Sequence, residues 1–256
     1  LMTNSEILAV SKILLESRAF TKEEMSGILN KLVAGCVPLE NVKLVSALVS
    51  NELFHYVELT HPVGIQDKLW EIGCDIQQHH LMRIRYQRQG ADAASAVERI
   101  VEPVSILFSE YYFYLNAYIT KENDGKYTRK YDYPAIFRID RIADYKIMEQ
   151  TFSLPYASRF QEGEFRKRVQ FMYPGRLQSI RLRYTGSSVE AILDRLPTAK
   201  IVSQDANGYL VEAEIYGNGI VMWLLSQGNR VEVLAPQTLR EEMFRVLTAM
   251  LERYQP

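Results

Sequence analysis

The sequence predicts an α+β protein in which helices and strands are segregated along the chain. Three observations carry this: helix-start signals in the first third, period-two alternation that begins after His80, and a βαββαβ order of elements in the last third. Each part has its own candidate core, so the 256 residues are expected to form more than one folding unit.

Residues 1–79 read as helices. Thr3-Asn-Ser-Glu6 and Thr21-Lys-Glu-Glu24 match the capping box, in which a hydroxyl and a carboxylate reciprocally satisfy orphan N–H groups. Ile7, Val10 and Leu14 follow the first at helical spacing, and Met25, Ile28, Leu29 and Leu32 the second. A third helix is expected from Asn41 to about Asn51, and a fourth from near Pro62 to Gln78 with Ile65, Leu69, Ile72 and Ile76 on one face.

Residues 80–150 read as short strands. Leu81 to Tyr86 alternates, with Met82, Ile84 and Tyr86 on one face and Arg83 and Arg85 on the other. Further strands are expected at Arg99–Pro103, Val104–Glu110, Tyr111–Ile119 and Ala135–Arg138. Polar turns separate them at Gln89–Asp92 and Lys121–Gly125. Several short strands without long intervening helices predict a small β-barrel. Ile139-Asp-Arg-Ile142 leads out of it.

Residues 151–176 form a connector with Pro155, Pro174 and a charged, helix-like run from Gly163 to Gln170. Residues 177–256 then give a strand at Leu177–Tyr184, a helix at Ser187–Leu196 and a hairpin of Lys200–Asp205 and Tyr209–Tyr216 across Ala206-Asn-Gly208. A helix at Ile220–Ser226, a strand at Arg230–Leu234 and a helix at Gln237–Tyr254 follow. This is the ferredoxin-like βαββαβ arrangement with one extra helix.

Composition narrows the function classes. An apolar fraction of 47% with 24% charged residues is that of an ordinary globular protein. No apolar run approaches the roughly 18–20 residues a membrane span needs, and the first residues lack the regions of a signal peptide. Cys36 and Cys74 stand alone, so a reduced cytoplasmic protein without disulfide, metal or cofactor is expected. Leu1 precedes Met2 at the mouth of a helix, so the chain is expected to start at a cut edge with sequence upstream. The net charge of -1 is uneven: residues 81–190 hold 18 Lys/Arg against 13 Asp/Glu, which makes the middle third the part suited to an anionic ligand.

Catalytic signatures are missing. There is no GxSxG, P-loop, dinucleotide glycine fingerprint or HExxH. The adjacent His79 and His80 point apart on a regular element, and His55 and His61 read as helix-end residues. Glu241-Glu242 complements the macrodipole at the start of the last helix. The expectation is no catalytic residue and no enzyme.

The stronger signal is aromatic and basic interleaving. Tyr86, Tyr111, Tyr112, Phe113, Tyr114 and Tyr118 lie in or near strands beside Arg83, Arg85, Arg138 and Arg141. Such a surface binds bases and phosphates by stacking and charge-assisted hydrogen bonds. Alternate aromatics in a strand also fill cores, and composition by itself favours that explanation.

Phe113-Tyr-Leu-Asn-Ala117, followed by Ile136-Phe-Arg-Ile-Asp-Arg-Ile142, resembles the signature of the WYL-domain family. That family carries a Trp-Tyr-Leu triplet in a strand and a downstream Phe-Arg-Leu-Asp-Arg-Ile segment. Ile84-Arg-Tyr86 and Val101-Glu-Pro-Val104 also fit. Phe113 stands where the triplet has Trp, and Ala135 where members often have Arg, which implies one basic ligand contact fewer. The resemblance covers residues 80–150. It implies an Sm-like β-barrel that senses a nucleic acid or nucleotide, a helical linker before it and the ferredoxin-like extension after it. In such regulators a winged helix-turn-helix lies upstream and reads DNA, and the chains form homodimers.

Carried over residue by residue, the resemblance implies a ligand pocket of Tyr114, Arg138 and Arg141, with Tyr86 and Arg83 on a neighbouring strand. Arginine forks would meet phosphate or carboxylate, and Tyr114 would offer a hydroxyl and a ring face. In a strand Arg138 and Arg141 would face opposite sides unless the chain turns near Asp140. Alternatively Asp140 pairs with one arginine and holds it structurally. The expected function is the effector-sensing region of a DNA-binding transcription regulator. The alternative is a stand-alone accessory module that binds single-stranded nucleic acid or a partner protein.

Overall fold

The structure, a computed structural model, describes residues 2–60, 64–87, 96–154 and 160–255. The expected turn at Gln89–Asp92, Pro155, His61 and the start of the fourth helix at Pro62 lie outside the described residues. The chain gathers into two compact units, Leu1–Asn116 with Phe137–Phe152 and Ala117–Ile136 with Ser153–Pro256.

Four helices open the chain: α1 (Asn4–Ser17), α2 (Lys22–Cys36), α3 (Leu39–Phe54) and α4 (Gln66–Gln78). Both capping boxes form. The Glu6 N–H donates to Thr3 Oγ1 at 3.3 Å while the Thr3 N–H donates to Glu6 Oε2 at 2.6 Å. The same pair of bonds joins Thr21 and Glu24 at 3.2 and 3.0 Å. Helical spacing brings Leu15, Met25, Leu29, Val49 and Tyr56 into one buried cluster and Ile7, Val33, Val37 and Val45 into another. The Tyr56 hydroxyl closes the first by donating to Phe20 O at 2.8 Å.

The strands that follow are β1 (His80–Tyr86), β2 (Val97–Ser109), β3 (Tyr112–Asn123), β4 (Lys126–Arg129), β5 (Ala135–Arg138) and β6 (Ile142–Thr151). Their order is β4-β3-β2-β1-β6, with β5 paired to β3. Alternation on β1 holds: Met82 and Ile84 are buried and Arg83 and Arg85 exposed. Ile84 lies opposite Arg99 of β2 and Tyr145 of β6, both antiparallel.

The expected closed barrel is not formed; the sheet is open. The chain turns through a 3-10 segment at Ile139–Arg141, and β6 then pairs with β1 rather than extending β5. The Sm-like closure expected of the middle domain is corrected accordingly. The two strands expected around Pro103 are one. Pro103 disrupts no bond to β1, because that pairing ends at Met82 opposite Val101. β4 and β6 are additional; both are largely exposed, so their apolar alternation is dilute.

The last part comprises α5 (Glu162–Arg168), β7 (Leu177–Tyr184), α6 (Glu190–Arg195), β8 (Lys200–Asp205), β9 (Gly208–Tyr216), α7 (Ile220–Ser226), β10 (Val231–Ala235) and α8 (Gln237–Arg253). The sheet order is β10-β7-β9-β8, with every neighbouring pair antiparallel. Ile180, Leu182, Val211, Ala213, Ile215 and Val233 on one sheet face pack with Ile192 of α6, Ile220 and Leu224 of α7 and Leu239 of α8. The turn from β8 to β9 depends on Gly208, whose φ is +106° and whose missing Cβ would lie 2.3 Å from the Tyr184 carbonyl oxygen. No described helix is long and apolar enough to cross a membrane.

Candidate ligand site

The site is built where β3 begins and β5 ends. Tyr112 and Tyr114 are two residues apart on β3 and therefore share a face; their rings meet edge-on at 6.4 Å. Arg138, the last residue of β5, lies over the Tyr112 ring with its guanidinium carbon 3.3 Å from the centroid. Its Nε and Nη2 donate to the two carboxylate oxygens of Asp140 at 3.0 and 2.5 Å. Among the described residues Nη1 donates to none. The 3-10 turn after Arg138 is what brings Asp140 back under the guanidinium.

Both partners of this ion pair are well covered, at 19% side-chain exposure each. Burial by itself would lower the Arg138 pKa, but the Asp140 hydrogen bonds and charge outweigh it and hold the value above the ordinary one. Burial pushes the Tyr114 phenol up to about 12, with the Arg138 charge only partly offsetting it. Tyr114 is thus a neutral donor at physiological pH, next to a permanent cation.

Tyr86 supports the arginine from β1. Its hydroxyl accepts the Arg138 backbone N–H at 3.4 Å, and its ring packs edge-on against Phe137 with centroids 5.1 Å apart. Arg141 sits half-buried in the 3-10 turn, and its carbonyl accepts the Gln87 N–H at 3.1 Å. Among the described residues its guanidinium forms no ion pair. Arg83 stands apart: it is exposed on β1 and paired with Glu98 at 2.9 Å. The structure therefore gathers Tyr86, Tyr114 and Arg138, adds Tyr112 and Asp140, and spends Arg83 elsewhere.

Beside this cluster the helices meet the sheet. Arg18, the left-handed residue that ends α1, donates to the carbonyls of Val57 and Glu58 at 2.8 and 3.1 Å and lies 5.4 Å from the Tyr111 centroid. Phe20 packs on Phe113 at 5.8 Å. Arg18, Phe20, Tyr112, Phe113 and Asp140 line a common cavity of about 20 Å³, room for a single water. Tyr112 is not among the site residues that the resemblance implies, although its i, i+2 relation to Tyr114 places it on the same face. Arg18 and Phe20, which reach the cavity through helix packing, carry no local sequence signal for it. Among the described residues no group of three or more His, Cys, Asp or Glu could hold a metal.

Comparison with known proteins locates this cluster in a recognised domain. Residues 75–147, which include Arg83, Tyr86, Tyr114, Arg138 and Arg141, match the WYL domain. The chain carries a WYL domain. Its residues 176–251 match the WCX domain, so this WYL-domain protein carries a second recognised module after the first. Two solved structures are similar to it. Proteasome accessory factor B/C (PafBC) of Arthrobacter aurescens is 18% identical over 100% of this chain and 37% of its own, with a TM-score of 0.40. A CRISPR Cas-related protein is 16% identical over 88% of this chain and 61% of its own, with a TM-score of 0.45. The WYL-domain chain thus spans less than two thirds of either structure. No curated protein matches it.

Proposed function

We propose that this WYL-domain protein is the effector-sensing part of a transcription regulator, and that its site takes an anionic ligand, a nucleic acid or nucleotide, through Arg138. The observation that carries the reading is the Arg138 guanidinium held between the Tyr112 ring and the Asp140 carboxylate. A phosphate replaces the carboxylate on the same fork, as the two acceptors share bidentate geometry. The aromatic faces of Tyr112 and Tyr114 suit a base or sugar, Arg141 supplies a second cation, and Tyr86 orients the backbone of Arg138. Arg83 has a lesser part, as it is paired with Glu98.

Asp140 also supports a route for the signal. It lines the same small cavity as Arg18 and Phe20, so a ligand that draws Arg138 away alters the packing against the α1–α2 corner. Coupling requires that ligand affinity differ between the two arrangements. The reading assigns residues 1–79 to a helical linker, 80–150 to the WYL sensing domain, 151–176 to a connector and 177–256 to a ferredoxin-like extension. The β10-β7-β9-β8 order supports the last of these. An upstream winged helix-turn-helix that contacts DNA, a cytoplasmic location, a homodimeric state and a non-catalytic role complete the proposal.

The experiment is an anisotropy titration with a fluorescent single-stranded oligonucleotide at low and moderate salt, run beside the Arg138→Ala/Arg141→Ala variant. Salt-sensitive binding that the variant loses is the expected result. Equal binding by the variant would place the ligand elsewhere and overturn the assignment.

A further inference from the structure

The turn that places Asp140 against Arg138 is held from outside as well as from within. Inside it, the Ile142 N–H donates to Ile139 O and closes the 3-10 segment. From β1, the Gln87 N–H donates to Arg141 O at 3.1 Å. From α4, Lys68 Nζ donates to Ile142 O at 2.9 Å, across 74 residues of sequence. This lysine lies ahead of residues 75–147, the stretch that matches the WYL domain.

The place that Lys68 grips is where the β1–β6 ladder changes register. Asp144 lies opposite Arg85 and Ile142 opposite Tyr86, so Ala143 is an extra residue on β6. A bulge of this kind breaks the regular bonding and bends the strand that carries it. It falls opposite the tyrosine whose hydroxyl accepts the Arg138 N–H. Lys68 thus ties down a carbonyl at the point where the ladder gives least support to the turn.

The lysine's choice of acceptor is informative. Lys68 is half-buried, and among the described residues it bonds this carbonyl and forms no ion pair. Its reach is therefore spent on ordering backbone and not on neutralising a carboxylate. One turn further along α4, Glu71 accepts the Tyr145 hydroxyl. Two residues on one face of the helix thereby hold two points on β6 with the same separation.

We propose that Lys68 is a positioning residue of the ligand site, fixing through Ile142 the turn that sets Asp140 against Arg138, with the Glu71–Tyr145 bond as its companion. The inference rests on the anionic-ligand reading of Arg138 and adds to it a residue outside the strands and turn that form the site.

Lys68→Met keeps the apolar stem and removes the donors, while Lys68→Arg still donates; circular dichroism verifies that both are folded. The first readout needs no ligand. The Arg138 Nε–H, bonded to Asp140, is identified in a proton–nitrogen correlation spectrum by its loss in Arg138→Ala. Its hydrogen-exchange rate is expected to rise about tenfold in Lys68→Met and to return towards the wild-type rate in Lys68→Arg. An unchanged rate in Lys68→Met overturns the proposal. The second readout is the salt titration with a fluorescent single-stranded oligonucleotide. Lys68→Met is expected to weaken binding about fivefold with the slope of log K against log salt unaltered, because the lysine meets no phosphate. A slope smaller by about 0.7, the loss of one phosphate contact on a single strand, would make Lys68 a binding cation and overturn the positioning role. A wild type that binds no oligonucleotide overturns the ligand reading of the site, and the exchange rate then decides the role of Lys68 by itself.

Discussion

Asp140 grips Arg138 from two residues away, meeting its Nε and Nη2 at 3.0 and 2.5 Å while Tyr112 backs the guanidinium. The arginine expected to meet a ligand is thus already engaged by its own chain through Nε and Nη2. Asp140→Asn removes the negative charge and keeps the shape. Affinity for a phosphate-bearing ligand is expected to rise about tenfold, and stability to fall by about 1–2 kcal/mol because a partly covered charge-assisted pair is weakened. Anisotropy and urea unfolding measure the two effects. A loss of affinity would make Asp140 part of the binding surface rather than a competitor.

Arg83 and Arg138 are expected to behave differently. Arg83→Ala severs one exposed pair with Glu98 and should change stability by no more than about 0.5 kcal/mol, with ligand affinity unaltered. Arg138→Ala should abolish salt-sensitive binding. Equal losses in the two variants would show that the ligand covers the outer face of β1.

Tyr114 gives a pH signature. Its folded pKa, about 12, lies above the ordinary phenol value of 10.0, so the folded state holds the proton more tightly. The stabilisation is present in full below the unfolded pKa and is lost as pH rises through the folded one. Between those values stability should fall by about 1.4 kcal/mol per pH unit from this group. Tyr56 and Tyr145 are raised as well, so the informative quantity is the difference between wild type and Tyr114→Phe. Curves that run parallel across this range would contradict the assignment.

The helix corner can be probed at Thr21. Thr21→Ala removes the oxygen that accepts the Glu24 N–H and breaks the capping box. The expected cost is about 1 kcal/mol in urea unfolding, with a second effect on ligand affinity because Thr21 also lines the cavity beside Asp140. Unchanged affinity would argue that this corner is uncoupled from the site.

Gly208→Ala tests the hairpin of the WCX domain. Alanine at a φ of +106°, with its Cβ 2.3 Å from the Tyr184 carbonyl oxygen, should cost at least about 2 kcal/mol. A full-stability variant would mean the turn relaxes at no cost.

What was legible in the sequence follows the strength of local signals. The last third was read nearly residue by residue. β7 and β9 alternate, and Asn207-Gly208 marks the turn; β8 is exposed throughout, and α6 begins later than expected, at Glu190. In the middle third the strands with buried alternation were found, whereas β4 and β6, mostly solvent-facing, carried too few apolar residues to register. The strand count suggests a closed barrel but says nothing about which edges pair; the turn at Ile139–Arg141 decides that, and the sheet stays open. The same turn answered the question left open for the arginines, since Asp140 folds back onto Arg138. Tyr86 and Tyr114 both lie beside Arg138. The approach of Arg18 and Phe20 is a product of packing between segments distant in sequence, and no spacing encodes it.

The two-residue tether between Asp140 and Arg138 has a further consequence for discrimination. A carboxylate fixed this close competes at an effective concentration on the order of millimolar or higher, whatever the solution contains. Under the proposed function, chloride, acetate and other simple anions bring no stacking and no second phosphate to the exchange, so they compete poorly with that internal rival. Only a ligand that adds stacking or a second phosphate contact to the exchange prevails. The loop thus sets, under the proposed function, a threshold of contact number that one simple anion does not reach.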